Sequence, residues 1–200
     1  MAERRKSTLN ELSEILAETA KEVLSANTAT TIRVAPTLQK ISFVALRPDL
    51  GAFLEFNGDY NGLLCMNFSK EAAFELYKRA MEFLGLPEEE TSKDPLSEEV
   101  INFVGEMVNQ IIGNFRKKIE QKYGLTARNN QPMAIAISHT INMYIETSLN
   151  NSQARKISLR TESGHPFYAE LSLEQTEFIP FKDLEGDKET SVEDLLKEFF

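Results

Sequence analysis

The chain has 200 residues, 42% hydrophobic and 26% charged, with a formal net charge of -9. That length and composition fit one globular domain with a core, or a domain plus a tail. The acidic balance argues against a nucleic-acid partner, since a phosphate backbone demands a Lys/Arg surplus on at least one face, and the densest basic run, Arg4-Arg5-Lys6, is followed by acidic residues. A single cysteine, Cys65, excludes an internal disulfide and reads as a buried, inert thiol.

Along the chain, Ser7 or Thr8 can cap a first helix that runs to about Ser25, with Leu9, Leu12, Leu16 and Val23 as its apolar stripe. Glu11, Glu14 and Glu18 interrupt this segment, so it carries no secretory h-region. No run approaches the ~18 apolar residues of a membrane span. A cytoplasmic protein without membrane attachment is the expectation.

Short β-type runs follow at Thr31–Val34, Ile41–Leu46, Ala52–Phe56 and Gly62–Phe68. Ala35-Pro36, Arg47-Pro48-Asp49 and Asn57-Gly58-Asp59 separate them as turns. The connections are too short for crossover helices, so antiparallel pairing is expected. Ser69 caps a second helix to about Leu84, with Gly85 and Pro87 beyond. An acidic loop, Glu88 to Asp94, leads to a third helix from about Leu96 to Tyr123, closed by Gly124. Strands are then expected at Met133–Ser138, Ile141–Thr147, Lys156–Thr161 and Phe167–Leu173, the last two joined through Ser163-Gly164-His165-Pro166. This order predicts an α+β fold, a mostly antiparallel sheet with long helices on one face. The domain is expected to span residues 1–180. Residues 181–200 form an acidic tail, with Ser191 to Phe200 a candidate short amphipathic helix.

The third helix is the most informative segment. Asn102, Glu106, Asn109, Gly113, Arg116 and Glu120 fall at steps of four and three, on one narrow face. Val100, Val104, Met107, Val108, Ile111 and Phe115 fall on the opposite face and must point to the core. Such a polar face can be mere solvation. Two features ask for more. Asn is a poor helix former, yet Asn102, Asn109 and Asn114 all lie within the helix. Gly113 costs roughly 1 kcal/mol against Ala in a helix interior, and close approach of a partner backbone is one reason to keep it.

The run Asn102-Phe103-Val104-Gly105-Glu106-Met107-Val108-Asn109-Gln110-Ile111-Ile112-Gly113-Asn114 resembles the signature helix of the CheC/CheX/FliY chemotaxis phosphatases. That signature is Asp or Ser, three residues, Glu, two residues, Asn, often with Gly four residues later. Glu106, Asn109, Gly113 and Asn114 match, whereas Asn102 stands where the family has Asp or Ser. The element order over residues 8–173 is similar to that family, as a divergent CheC-like branch. The resemblance implies an internal pseudo-repeat with a second such helix at the N-terminus. Asn10, Glu14 and Ala17 repeat the spacing of Asn102, Glu106 and Asn109, but Ala17 replaces the amide. This resembles the single-site CheX pattern, with a degenerate second site.

The resemblance further implies hydrolysis of the aspartyl phosphate on a CheY-like response-regulator receiver domain. Asn109 would orient the attacking water and Glu106 would grip the receiver's lysine. Asn102, Gly113 and Arg116 would contact the partner. No cofactor of its own is implied, because the phosphorylated receiver supplies Mg2+; CheX-type relatives being dimeric, a homodimer is implied too. The alternative is a non-catalytic binding module or adaptor for a receiver or another signalling partner. Other enzyme classes lack support. Only His139 and His165 are present, with no HExxH, Cys-x-x-Cys, phosphate-loop or Gly-x-Ser-x-Gly pattern, so no metal site is expected.

Overall fold

A computed structural model describes residues 7–143 and 153–179 of the chain. The 181–200 tail, the basic run at 4–6 and the rest of the strand expected at 141–147 lie outside the described residues. Three helices, α1 (Thr8–Thr28), α2 (Lys70–Phe83) and α3 (Glu98–Tyr123), accompany nine strands. The strands are β1 (Arg33–Ile41), β2 (Val44–Leu46), β3 (Leu50–Gly58), β4 (Gly62–Phe68), β5 (Ala127–Asn129), β6 (Met133–Ala136), β7 (Ile141–Met143), β8 (Gln153–Arg160) and β9 (Pro166–Leu173).

The large sheet has the order β1-β8-β9-β4-β3-β5, with β6 also pairing β3, and every pairing is antiparallel. Alternation along the strands sends Leu50, Ala52, Leu54 and Phe56 of β3, and Phe167, Ala169 and Leu171 of β9, into the core beneath the helices. Leu63 and Cys65 of β4 point to the other face. There β2 and β7 pair as a two-stranded ribbon over a second, smaller core with Val44, Leu46 and Ile137. The helices therefore lie on one face, as expected, while the ribbon on the other was not foreseen. Cys65 is fully buried, and burial, with the Glu170 charge adding to it, pushes its thiol up to about 12. It packs as a small hydrophobe.

The connectivity is internally two-fold. α1 followed by β1, β2, β3 and β4 matches α3 followed by the β5–β6 pair, β7, β8 and β9. Exchanging the halves turns the sheet order into its own reverse, about an axis between β4 and β9, and pairs β2 with its counterpart β7. α2 lies outside this repeat. It sits at the N-terminal end of α3, where Tyr77 donates to Glu99 at 3.0 Å. Residue order in the cross-links Glu11–Lys122, Glu22–Lys118 and Asn27–Gln110 makes α1 and α3 antiparallel.

Two strand expectations are corrected. Ala35-Pro36 is not a turn between strands; it lies within β1, where the register against β8 shifts between Val34 and Leu38. A proline is tolerated there because β1 is an edge strand and a bulge frees its nitrogen from the ladder. β5 was not anticipated, because three residues, Ala127-Arg128-Asn129, carry no apolar run; their pairing with β3 defines them.

Candidate functional site

α3 is well specified at both ends. The Ser97 hydroxyl accepts from the Val100 amide at 3.4 Å, Glu98 and Glu99 occupy the first turn, and Lys122 the last. Gly124 closes the helix at φ 70, a left-handed conformation that glycine adopts without steric cost. Val100, Val104, Met107, Val108, Ile111, Ile112, Phe115 and Ile119 are buried against the sheet and α1. That fixes the helix's rotation, so Asn102, Glu106, Asn109 and Gly113 are all exposed.

Asn109 projects outward, and its side-chain amide has no hydrogen-bond partner among the described residues. Glu106 is one turn earlier; its Oε1 accepts from Gln110 Nε2 at 3.3 Å. Asn102, Glu106 and Asn109 form one wall of a shallow cleft of about 170 Å3. Gln131, Pro132 and Ala134, from the β5–β6 segment, form the other. A Cβ at Gly105 would meet the Ala134 methyl at 3.4 Å, an ordinary contact distance, so this wall lies within van der Waals reach of the helix. Gln131 gave no signal in the sequence, because its place beside α3 depends on the long-range pairing of β5 and β6 with β3.

Gly113 differs from Gly105. A Cβ at Gly113 would meet nothing within 4 Å, so no packing within the described chain requires a glycine there. It borders a groove with Arg116 and Lys117 of α3 and Arg128 of β5. Arg116 is only partly exposed: its guanidinium donates to Asn129 Oδ1, tying α3 to β5, while its Nε is buried without a partner among the described residues. One arm of its bonding capacity is thus spent inside the fold.

The N-terminal trio does not form a matching face. Glu14 is exposed, but Asn10 is half-buried and its Oδ1 accepts from Arg155 Nε at 2.7 Å. Ala17 packs against the core. Asn10 is drawn inward because β8 places the Arg155 guanidinium behind it.

The two histidines stand apart from this site. His139 is exposed, with Nδ1 3.0 Å from Ser138 Oγ. His165 Nδ1 lies 2.7 Å from Glu75 Oε2, joining α2 to the β8–β9 turn. Burial alone would raise the Glu75 carboxyl, but hydrogen bonds from Thr161, Ser163 and His165 outweigh it and hold it below the usual range. Among the described residues, no three His, Cys, Asp or Glu side chains gather to hold a metal ion, and no helix is long and apolar enough to cross a membrane.

The sequence profile of DUF3334, a family of proteins of unknown function, matches residues 5–199. The chain belongs to this family. No curated protein sequence matches it. The chemotaxis protein CheX from Desulfovibrio desulfuricans is similar in structure, with TM-score 0.65 and 22% identity over 82% of this chain and 99% of that one. A putative chemotaxis protein from Desulfovibrio vulgaris Hildenborough gives TM-score 0.67 at 21% identity, over 82% and 97% of the two chains. CheX from Borrelia burgdorferi, whose structure is a complex with CheY, BeF3 and Mg2+, gives TM-score 0.57 at 16% identity over 82% and 97%. At such identities the likeness establishes the fold. This DUF3334 chain has the CheC/CheX fold, and the α+β, internally repeated architecture expected from its sequence stands.

Proposed function

We propose that this DUF3334 protein binds a CheY-like receiver domain through the exposed face of α3 and promotes hydrolysis of its aspartyl phosphate. The observation that carries this reading is Asn109: an amide on a rigid helix, exposed, unspent in bonds within the described chain, and one turn from Glu106. The CheX of known structure in complex with CheY and BeF3 has the same fold, which supports a receiver as the partner class.

Acyl-phosphate hydrolysis needs a water in line with the bond to be broken. A carboxamide suits that task, because its NH2 donates and its carbonyl accepts. Asn109 enters the receiver's active site and holds the water; it need not act as a base, since positioning alone lowers such a barrier. The receiver contributes the phosphoryl group, its Mg2+ and a lysine. Glu106 pairs with that lysine and fixes the register of docking. An exposed pair of this kind is worth about 0–1 kcal/mol, and more once the interface excludes water. Gly113 leaves the helix backbone open to the partner. Asn102, where the family signature has Asp or Ser, contributes a neutral rim contact.

The test is the decay of phosphoryl-aspartate on a panel of receiver domains from the same organism, with and without the protein. Acceleration over spontaneous decay by the native chain, reduced on the order of 100-fold in Asn109→Ala with unchanged circular dichroism, supports the reading. Acceleration that survives in the variant removes Asn109 from the chemistry. Binding of a phosphorylated receiver without any acceleration makes the protein an adaptor, a reading that the departure at Asn102 favours.

A further inference from the structure

A grip residue on a helix surface is useful only if its carboxylate is held where the partner's cation arrives. Glu106 is exposed and flexible by nature, yet one of its oxygens is already engaged. Gln110 Nε2 donates to Glu106 Oε1 at 3.3 Å, and Gln110 Oε1 in turn accepts from Asn27 Nδ2 at 3.1 Å. The same Asn27 amide nitrogen donates to the Val23 carbonyl at 2.8 Å, which locks it to the last turn of α1. Gln110 is half-buried between the two helices.

We propose that Gln110 is a positioning residue for Glu106, anchored across the helix pair by Asn27, so that α1 sets the reach of the docking carboxylate on α3. This rests on Glu106 being the receiver grip. The polarity of the relay runs one way. Asn27 presents an NH2 group, which the Gln110 carbonyl must face; the Gln110 NH2 is thereby turned toward Glu106. Flipping Gln110 would set a carbonyl against a carboxylate and an amide against an amide, losing both bonds. The relay occupies Oε1 and leaves Oε2, which has no hydrogen-bond partner among the described residues, for an incoming ammonium.

Chemistry at position 110 also matters. A lysine four residues after a glutamate is a better helix-stabilising partner than glutamine. It would, however, neutralise the carboxylate that the receiver's lysine must meet. Glutamine orients the charge without cancelling it.

The experiment measures the dissociation constant of the full-length protein for a beryllofluoride-loaded receiver. The native chain is compared with Gln110→Leu, which keeps the stem and removes the amide, with Asn27→Ala, and with each combined with Glu106→Ala. Gln110→Leu should weaken binding about 5-fold, the scale of one lost hydrogen bond, and Asn27→Ala should act in the same direction. The hydrolysis rate at saturating protein should not change. In the Glu106→Ala background both penalties should vanish, which a general packing defect would not do. Should Gln110→Leu fail to fold, Asn27→Ala carries the comparison alone. Penalties that persist after Glu106 is removed, or single variants within 2-fold of native while Glu106→Ala is impaired, overturn the relay and leave the grip intact. An unimpaired Glu106→Ala removes the grip itself, and the relay with it.

Discussion

α1 and α3 are equivalent elements of one repeated fold, and they spend their polar residues in opposite ways. Both lie on the same sheet face and both carry the Asn, Glu spacing of four. On α3, Asn102, Glu106 and Asn109 stay outside, because the helix-facing side chains of the strand beneath, β3, are apolar: Leu50, Ala52, Leu54 and Phe56. Under α1 the matching strand is β8, and it offers Arg155 beside Ile157 and Leu159. A buried guanidinium must be bonded, and Asn10 supplies one acceptor beside the Ala154 carbonyl. Asn27, at the other end of α1, is likewise committed to Gln110. The teaching is that motif spacing marks where a site can be. What lies behind the helix decides whether its amides are available.

The contrast can be broken most forcefully at Asn10. Burial already presses the Arg155 pKa below the ordinary arginine value, so removing its acceptor leaves a desolvated charge without that bond. Asn10→Ala should cost about 1–3 kcal/mol of stability while leaving receiver dephosphorylation unchanged in folded protein. Asn109→Ala should do the reverse, altering stability by no more than about 0.5 kcal/mol, as is usual for a surface position. Urea unfolding of both variants beside the phosphate-release assay decides it. An Asn10→Ala variant of native stability would mean that the bond to Arg155 contributes nothing, and the asymmetry between the helices would need another cause.

A smaller effect is expected on the exposed turn of α3. Gly113 has open space where a Cβ would sit. Gly113→Ala should therefore stabilise the isolated protein by about 1 kcal/mol through helix propensity. If the glycine is kept for a partner's close approach, the same change weakens receiver binding. Gain of stability with undiminished binding would show that the partner does not come near this turn.

Much of this was legible in the residues. The caps Ser69 and Gly124 and the core stripe of α3 fall where helix periodicity and turn chemistry place them, because these are local preferences. The face carrying Asn102, Glu106 and Asn109 followed from the same periodicity. What could not be read was long-range. The passage of β1 through Pro36 depends on a bulge against β8, and the β2–β7 ribbon joins strands about a hundred residues apart in the chain, Val44 pairing with Met143. The bond from Asn27 to Gln110 and the Gln131 wall of the cleft arise the same way. The Arg155 partner of Asn10 was hidden for the same reason, since a helix's own sequence does not say which strand residue lies behind it.

The smallest expected effect is a null one, and it tests the comparison most directly. Ala17→Asn restores on α1 the full Asn, Glu, Asn spacing of α3. If spacing alone made a site, the substitution in an Asn109→Ala background would recover dephosphorylation. The structure argues that it will not. Position 17 packs against the core, and Asn10, its partner two turns earlier, is held by Arg155. Only the intrinsic helix penalty of asparagine, up to about 0.7 kcal/mol, and the lost packing should be measurable, as a slight fall in the unfolding midpoint. Recovery of activity would mean that α1 can release Asn10 from Arg155 when a receiver docks, and that the second helix is dormant rather than structural.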